Sequence, residues 1–280
     1  MLSLNDISII TVTFNSEKII GKFLLQSELE KFNDKKIIIV DNNSDDKTIN
    51  KIKSIGKKYT IIKNTQNFGY GKGVNIGMTA IKSRYCLIVN PDLIFEKNFF
   101  FKLINGIERN IGFGLIAPHL SKPLQDQRVS NKDITTTFIS GACFLIDCKI
   151  FNNKIFDEKI FLFYEDNILS DRVINLGYKL ILLGDCYVYH EGENSTEKNS
   201  KVQKLRNWHM GWSEAYYLMK VGCNSHKLIF INLITKFKRA LIFIIFLKIK
   251  RFISVYFRIK GIICYLQGID SHERRNIGPF

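Results

Sequence analysis

A chain of 280 residues with 46% hydrophobic and 24% charged residues has the composition of an ordinary globular protein and is long enough to bury a full core; one large domain with a tail fits better than two equal domains. Its six cysteines, Cys86, Cys143, Cys148, Cys186, Cys223 and Cys264, stand singly, with no CxxC pair and no metal-ligand spacing, and read as reduced core residues. The net charge of +15 is uneven: residues 201–280 hold 15 Lys and Arg against 3 acids, a balance of +12, while the first 200 are nearly neutral.

Met1 to Asp6 lacks the basic segment of a secretory leader, and the apolar run Ile7 to Val12 is too short for a leader core, so a cytosolic protein is expected. Short β-branched runs then alternate with segments of helical period. The pattern predicts a strand at 7–13, a helix at about 17–31, a strand at 37–40, a helix at about 45–57, a strand at 59–62, a helix at about 71–82 and a strand at 85–89. Such alternation implies a doubly wound, mainly parallel α/β sheet with helices on both faces. The later part is less regular, with apolar runs at 138–146, 179–183 and 187–190 and an acidic segment at 161–171 leading into a helix. The catalytic domain is therefore placed at 1–200 and a basic helical tail at 201–280.

In a doubly wound sheet the ligand crevice lies beyond the carboxyl ends of the strands. Three predicted strands hand over there to small polar or acidic groups: Thr13 to Asn15, Asp41 to Ser44, and Asn90 to Asp92. A structural sheet has little reason to repeat this three times. Asp41 is placed to accept hydrogen bonds from a base or ribose, and it could equally cap a turn or helix, although Asn43, Ser44 and Asp45 are competing caps. Asn67 to Gly73 is a glycine-rich turn opening a helix; it could bring backbone amides or Lys72 to a phosphate, or be an ordinary connection with glycines at positive φ. Glu165 and Asp166 stand where a helix begins, which suits both a capping role and a proton-accepting one.

Taken in order, the runs 11–15, 40–46, 67–77, 90–92, 140–146, 163–166 and 188–192 resemble glycosyltransferase family 2, most closely its rhamnosyltransferase-like branch. The resemblance spans about residues 7 to 195 and implies a GT-A fold and an inverting transfer from a nucleoside-diphosphate sugar, dTDP- or UDP-linked, to a cell-surface glycan precursor, with a lipid-linked one expected. It gives Asp41 the base or ribose, with Thr13 and Asn15 in the same pocket and Asn43, Asn67, Gly69, Lys72, Asn75 and Asn90 completing the donor set. It makes Asp166 the general base and Glu165 its support. Asn90-Pro91-Asp92 stands where many relatives carry an Asp-x-Asp pair, so a Mg²⁺ or Mn²⁺ ion would fall to Asp92, with His190 as second ligand. Ile168 replaces an acid that relatives often carry two residues after the base. Those two departures keep open a catalytically inactive relative that only binds glycans or partners.

From Phe230 to Cys264 the tail alternates apolar blocks with Lys and Arg, and the longest uncharged stretch there is eight residues, far short of the roughly 20 that span a bilayer. A basic interfacial helix against an anionic membrane surface is one reading, and core-packing helices with basic solvent faces is the other. Gly141, Trp208 and His209 are candidates for the acceptor side. The strand-one turn lacks GxGxxG, which argues against a dinucleotide oxidoreductase, and acids at strand ends argue against nucleic-acid binding.

Overall fold

The computed structural model describes residues 2–121, 132–151, 154–190, 200–221 and 225–273. Its secondary structure runs β1 (Ile7–Thr13), α1 (Glu17–Leu24), α2 (Ser27–Glu30), β2 (Ile37–Asp41), α3 (Thr48–Ser54), β3 (Thr60–Lys63), α4 (Tyr70–Met78), β4 (Tyr85–Val89), β5 (Leu93–Phe95) and α5 (Phe99–Arg109). It continues with β6 (Phe113–Ser121), β7 (Ile134–Thr136), β8 (Cys143–Asp147), α6 (Glu165–Asn175), β9 (Lys179–His190), α7 (Ser200–Val221), α8 (Ser225–Ile245) and α9 (Ile249–Leu266). The chain divides into two compact units, one of Met1–Phe156 with Asp166–Ser195, the other of Asp157–Glu165 with Thr196–Phe280. The segment 157–165, read in sequence as part of the first domain, thus groups with the C-terminal helices.

The first unit is one mixed sheet in the order β3-β2-β1-β4-β8-β6-β9-β5, with β7 beside β9. Strands β3, β2, β1 and β4 are parallel, as the β-branched runs require, and antiparallel β8 joins them to the parallel pair β6 and β9. Successive side chains leave opposite faces of a strand, so alternate residues sort into two cores. Ile7, Ile9, Ile37, Ile39 and Leu87 pack with α1, α3 and α5, whereas Ile10, Ile38, Val40, Cys86 and Ile88 pack with α4 and α6. Helices therefore cover both faces, and every crossover returns the chain so that β1, β2 and β4 end at the same edge.

Predicted boundaries moved where side chains compete with the helix. The helix expected at 17–31 breaks before Gln26, whose side-chain amide acts as a strand partner for β5: Nε2 donates to Leu93 O at 2.9 Å and Oε1 accepts from Phe95 N at 2.7 Å. The helix expected from 45 starts at Thr48, because Asp46 turns back to accept from the amides of Thr48 and Glu17. The runs at 179–183 and 187–190 form one strand, β9, whose pairing with β6 shifts register between Ala117 and His119, where Pro118 has no N–H to donate.

In the second unit α7 and α9 meet backbone to backbone. A Cβ on Gly211 would lie 2.0 Å from Arg258 O, and one on Gly261 would lie 2.1 Å from Trp208 O. Each glycine costs its helix roughly 1 kcal/mol relative to alanine, so its presence here marks a contact only a hydrogen can fill. The segment 157–165 is fastened to these helices by Tyr216 Oη donating to Asp157 Oδ2 at 2.8 Å, Ser213 Oγ to Leu162 O at 2.8 Å and Ser271 Oγ to Lys159 O at 2.5 Å. Gly261→Leu is expected to force α7 from α9 and cost the second unit its cooperative unfolding transition, leaving the transition of the first. Calorimetry checks this, and two unchanged transitions would contradict it.

Candidate functional site

The carboxyl ends of β1 and β2 are adjacent because Thr13 pairs with Asp41 in the parallel register. Asp41 is 1% exposed and its carboxylate is held by three donors: Thr13 Oγ1 at 2.9 Å and Ser44 Oγ at 2.6 Å on Oδ1, and Ser44 N at 3.0 Å on Oδ2. Two donors fill the lone pairs of Oδ1, and one acceptor position on Oδ2 is left by these bonds. The turn-closing role anticipated for Asp41 is thus real, but it closes on Ser44. The first turn of α3 belongs to Asp46.

Asn15 and Asn43, both exposed, adopt left-handed backbone at φ 51° and 61°, which asparagine tolerates better than most residues. Asn15 N donates to Ser44 Oγ, and Asn15 Oδ1 accepts from Asp45 N, each at 2.9 Å, so the loops after β1 and β2 are sewn together. A third loop is tied in by Asn42, which sequence reasoning passed over. Its buried carboxamide donates to Gly69 O at 2.8 Å and accepts from Asn64 Nδ2 at 2.8 Å. The available signal was the run of seven polar residues after β2, Asn42 to Thr48, not all of which can face solvent.

In the glycine-rich turn, Asn67 Oδ1 accepts from Gly69 N at 2.9 Å, and Gly69 takes φ 85°, a value suited to glycine, before α4 begins. The later glycines have another purpose. A Cβ on Gly73 would lie 2.9 Å from Val12, one on Gly77 3.0 Å from Ile10 and Val40, and one on Gly71 2.9 Å from Phe156. They let α4 lie close on the sheet. Lys72 Nζ stands 4.7 Å from the centre of the Phe68 ring. Asn75 is 3% exposed, accepts from Ile155 N and Phe156 N at 3.0 Å and donates to Phe156 O at 2.9 Å, so it fastens a core segment.

Asn90 opens the turn between β4 and β5, with its amide donating to Ala142 O at 2.9 Å and its carbonyl accepting from Leu93 N at 3.4 Å. Asp92 lies in this turn. The next residue, Leu93, pairs with His190 across the antiparallel β5–β9 ladder, so the backbone of residue 190 adjoins the turn that carries Asp92. Among the described residues no group of three or more His, Cys, Asp or Glu is assembled to hold a metal.

The loop that follows, 140–142, links this turn to Asp166. Gly141 N donates to Asp166 Oδ2 at 3.0 Å, while Gly141 O accepts from Tyr70 Oη at 2.5 Å. Asp166 Oδ1 accepts from Asn167 N at 3.0 Å, in the first turn of α6, where partial positive charge favours a carboxylate. Burial nonetheless dominates and pushes the Asp166 carboxyl above the ordinary aspartate value, with the Gly141 and Asn167 amides pulling the other way. The first unit thus places a half-buried carboxylate, made more basic by its surroundings, beside the Asn90–Asp92 turn.

Glu165 is buried and belongs to the second unit. Before it, Phe163 and Tyr164 both adopt left-handed backbone, φ 70° and 65°, a strained entry to α6 that bulky residues rarely take without a compensating reason. Ile168 packs in the core at 6% exposure. Trp208 and His209 are 0% and 1% exposed, and His209 stacks on Phe161 with ring centres 4.5 Å apart. They pack the second unit. Gly141 contributes its peptide group to Asp166.

The sequence model of the family described as Glycosyl transferase family 2 matches residues 8–154. An "Uncharacterized glycosyltransferase" of Haemophilus influenzae is 20% identical over 252 residues, covering 77% of this chain and 75% of that protein. Among solved structures, the mannosyltransferase PcManGT from Pyrobaculum calidifontis, in complex with GDP-Man and Mn2+, superposes with a TM-score of 0.58 at 12% identity over 94% of this chain and 87% of its own. GalNAc-T7 with UDP, GalNAc and Mn2+ gives a TM-score of 0.56 at 14% identity over 69% of this chain, which spans 44% of that protein's. At these identities the structural likeness concerns the fold, which is that of GT-A proteins.

Proposed function

Since the chain belongs to glycosyltransferase family 2 and is a glycosyltransferase, we propose that it moves a sugar from a nucleoside-diphosphate donor to a hydroxyl of a glycan precursor, with inversion, in one in-line displacement. The observation that carries the reading is Asp166, a half-buried carboxylate made more basic by its surroundings and fixed by Gly141 beside the Asn90–Asp92 turn. A transfer of this kind needs a proton acceptor for the incoming hydroxyl on one side and charge neutralisation for the departing diphosphate on the other. Asp166 supplies the first through a carboxylate oxygen. The pocket of Thr13, Asp41, Asn15 and Asn43 holds the base and ribose, with Asn67, Gly69 and Lys72 toward the phosphates. Glu165 supports binding.

A divalent cation fits the second requirement. Asp92 and His190 would hold it, since the Asp92 turn and residue 190 adjoin through the β5–β9 ladder, and a carboxylate with an imidazole suits Mg²⁺ or Mn²⁺. When bound, the ion offsets the negative charge on the diphosphate oxygens. Similar proteins crystallised with GDP-Man or UDP and Mn2+ support the same reading. The donor sugar we propose is rhamnose, on the rhamnosyltransferase-like motif set, and the acceptor a lipid-linked glycan at an anionic membrane surface, supported by the basic, acid-poor stretch after Lys201.

The test is a panel of nucleotide sugars with Mn²⁺, followed by the one-bond C1–H1 coupling constant at the anomeric centre of the product by NMR. Inverted configuration is expected, and retention would overturn the single-displacement mechanism. Binding of a donor without turnover of any would favour the inactive-relative reading, which Asn90 and the buried Ile168 motivate.

The proton acceptor also sets a pH dependence. Turnover should fall as pH drops through the raised Asp166 value, so the acid limb of the kcat profile should lie above the ordinary aspartate range. A limb at or below that range would show that another group accepts the proton.

A further inference from the structure

Helix α8 carries two apolar faces, and its own packing uses one. Ile229 and Leu233 join Ala215 and Ile262 in the core of the second unit, with Ala240 also buried. A separate stripe, Phe230, Ile234, Phe237, Leu241 and Ile245, recurs at helical spacing and is exposed along its length, Leu241 at 60%. At 1.5 Å per residue it runs about 22 Å. It continues over the turn into α9, where Phe246 is 66% and Leu247 82% exposed and Ile249 also faces solvent.

The charge on these helices has one sign. From Ser225 to Leu266 there are nine Lys and Arg and no Asp or Glu. Lys238 and Arg239 are exposed near the stripe, and Lys248, Lys250 and Arg251 are exposed at the turn. A second copy of the chain would bring the same acid-free cationic face against it, so self-association is disfavoured by like-charge repulsion. None of the helices, over the described residues, is long and apolar enough to cross a membrane.

We propose that the α8–α9 hairpin is a membrane-docking device: its turn, Phe246, Leu247 and Ile249, enters the headgroup region of an anionic bilayer, the α8 stripe lies on the acyl boundary, and Lys248, Lys250 and Arg251 engage anionic headgroups. Apolar side chains at the headgroup boundary with cations beside them are the two contributions that hold a peripheral protein on a charged bilayer, and each alone gives weak binding. This names the segment for the membrane-side acceptor reading above, and vesicle binding tests it apart from catalysis.

The full-length protein is floated with vesicles of phosphatidylcholine alone or of phosphatidylcholine with phosphatidylglycerol. Binding is expected to the second kind only, to fall with added salt, to drop roughly fivefold for each of Lys250 and Arg251 changed to Ala, and to be lost in Leu241→Glu with Leu247→Glu. All four positions are exposed, so helicity and nucleoside diphosphate binding should be unchanged. Should the double Glu variant misfold, the Lys250→Ala and Arg251→Ala series reads the same surface. Equal binding to neutral vesicles, binding to neither kind, or binding undiminished in the folded variants overturns the proposal. So does a dimer that Leu241→Glu makes monomeric without change in vesicle binding, which would give the stripe to a second copy. Failure here with nucleoside diphosphate binding intact leaves the transferase reading standing.

Discussion

Asp166→Asn is expected to lower turnover by about two to four orders of magnitude, the usual contribution of a positioned general base, while donor affinity stays near that of the unaltered protein. The asparagine oxygen can still accept from Gly141 N, so the loop 140–142 keeps its anchor, while the change removes the proton-accepting lone pair and the acceptor that Asn167 N uses on Oδ1. Stability gives an independent control. A carboxyl whose folded-state pKa is raised by burial contributes stability below its unfolded value, and that contribution is lost as pH rises through the folded one. At neutral pH the ionised Asp166 therefore burdens the fold. Asp166→Asn should match or exceed the unaltered protein in Tm while losing its activity. Glu165→Gln should act on binding more than on the chemical step. An active Asp166→Asn with an inactive Glu165→Gln would transfer the role to Glu165.

Asp92→Ala should abolish metal-dependent transfer and weaken nucleoside diphosphate binding in Mn²⁺ or Mg²⁺, with the fold preserved. Asp92 sits in a turn whose backbone bonds run from Asn90 to Ala142 and Leu93, none of which needs its side chain. The turn carries one acid, Asp92, with an amide at Asn90, so on the proposed site Asp92 would be its single carboxylate toward the cation. Calorimetric titration of a nucleoside diphosphate with and without Mn²⁺ checks this. Metal-independent binding, or full activity in excess EDTA, would remove the cation from the mechanism.

The parallel half of the sheet was legible because β1, β2 and β4 are buried on both faces, and burial of that kind writes a near-continuous apolar run rich in Ile and Val. Strands β5 and β7 have three residues each, too few for a period to show, and β6 is interrupted by Gly114 and Pro118. At the site, the acids at strand ends could be found from topology alone, since the sheet brings those ends together. What could not be found was which polar residues face inward. Asn42 and Asn75 read as loop and ligand residues in a string of letters, yet each spends its carboxamide on backbone from a distant segment. The glycines of α4 mislead similarly, because a glycine needed for positive φ and one needed for close packing look alike until the neighbouring strand is in place. Trp208 and His209 illustrate the same ambiguity on a helix: spacing gives a face without saying what the face meets.

The most direct measurement compares the unaltered protein with Asp166→Asn across a panel of nucleotide sugars in Mn²⁺, reading both donor binding and release of nucleoside diphosphate. A donor that both proteins bind, and that only the unaltered protein turns over at an appreciable rate, is the predicted result. A panel in which no donor binds, or one turned over equally by both, would contradict it.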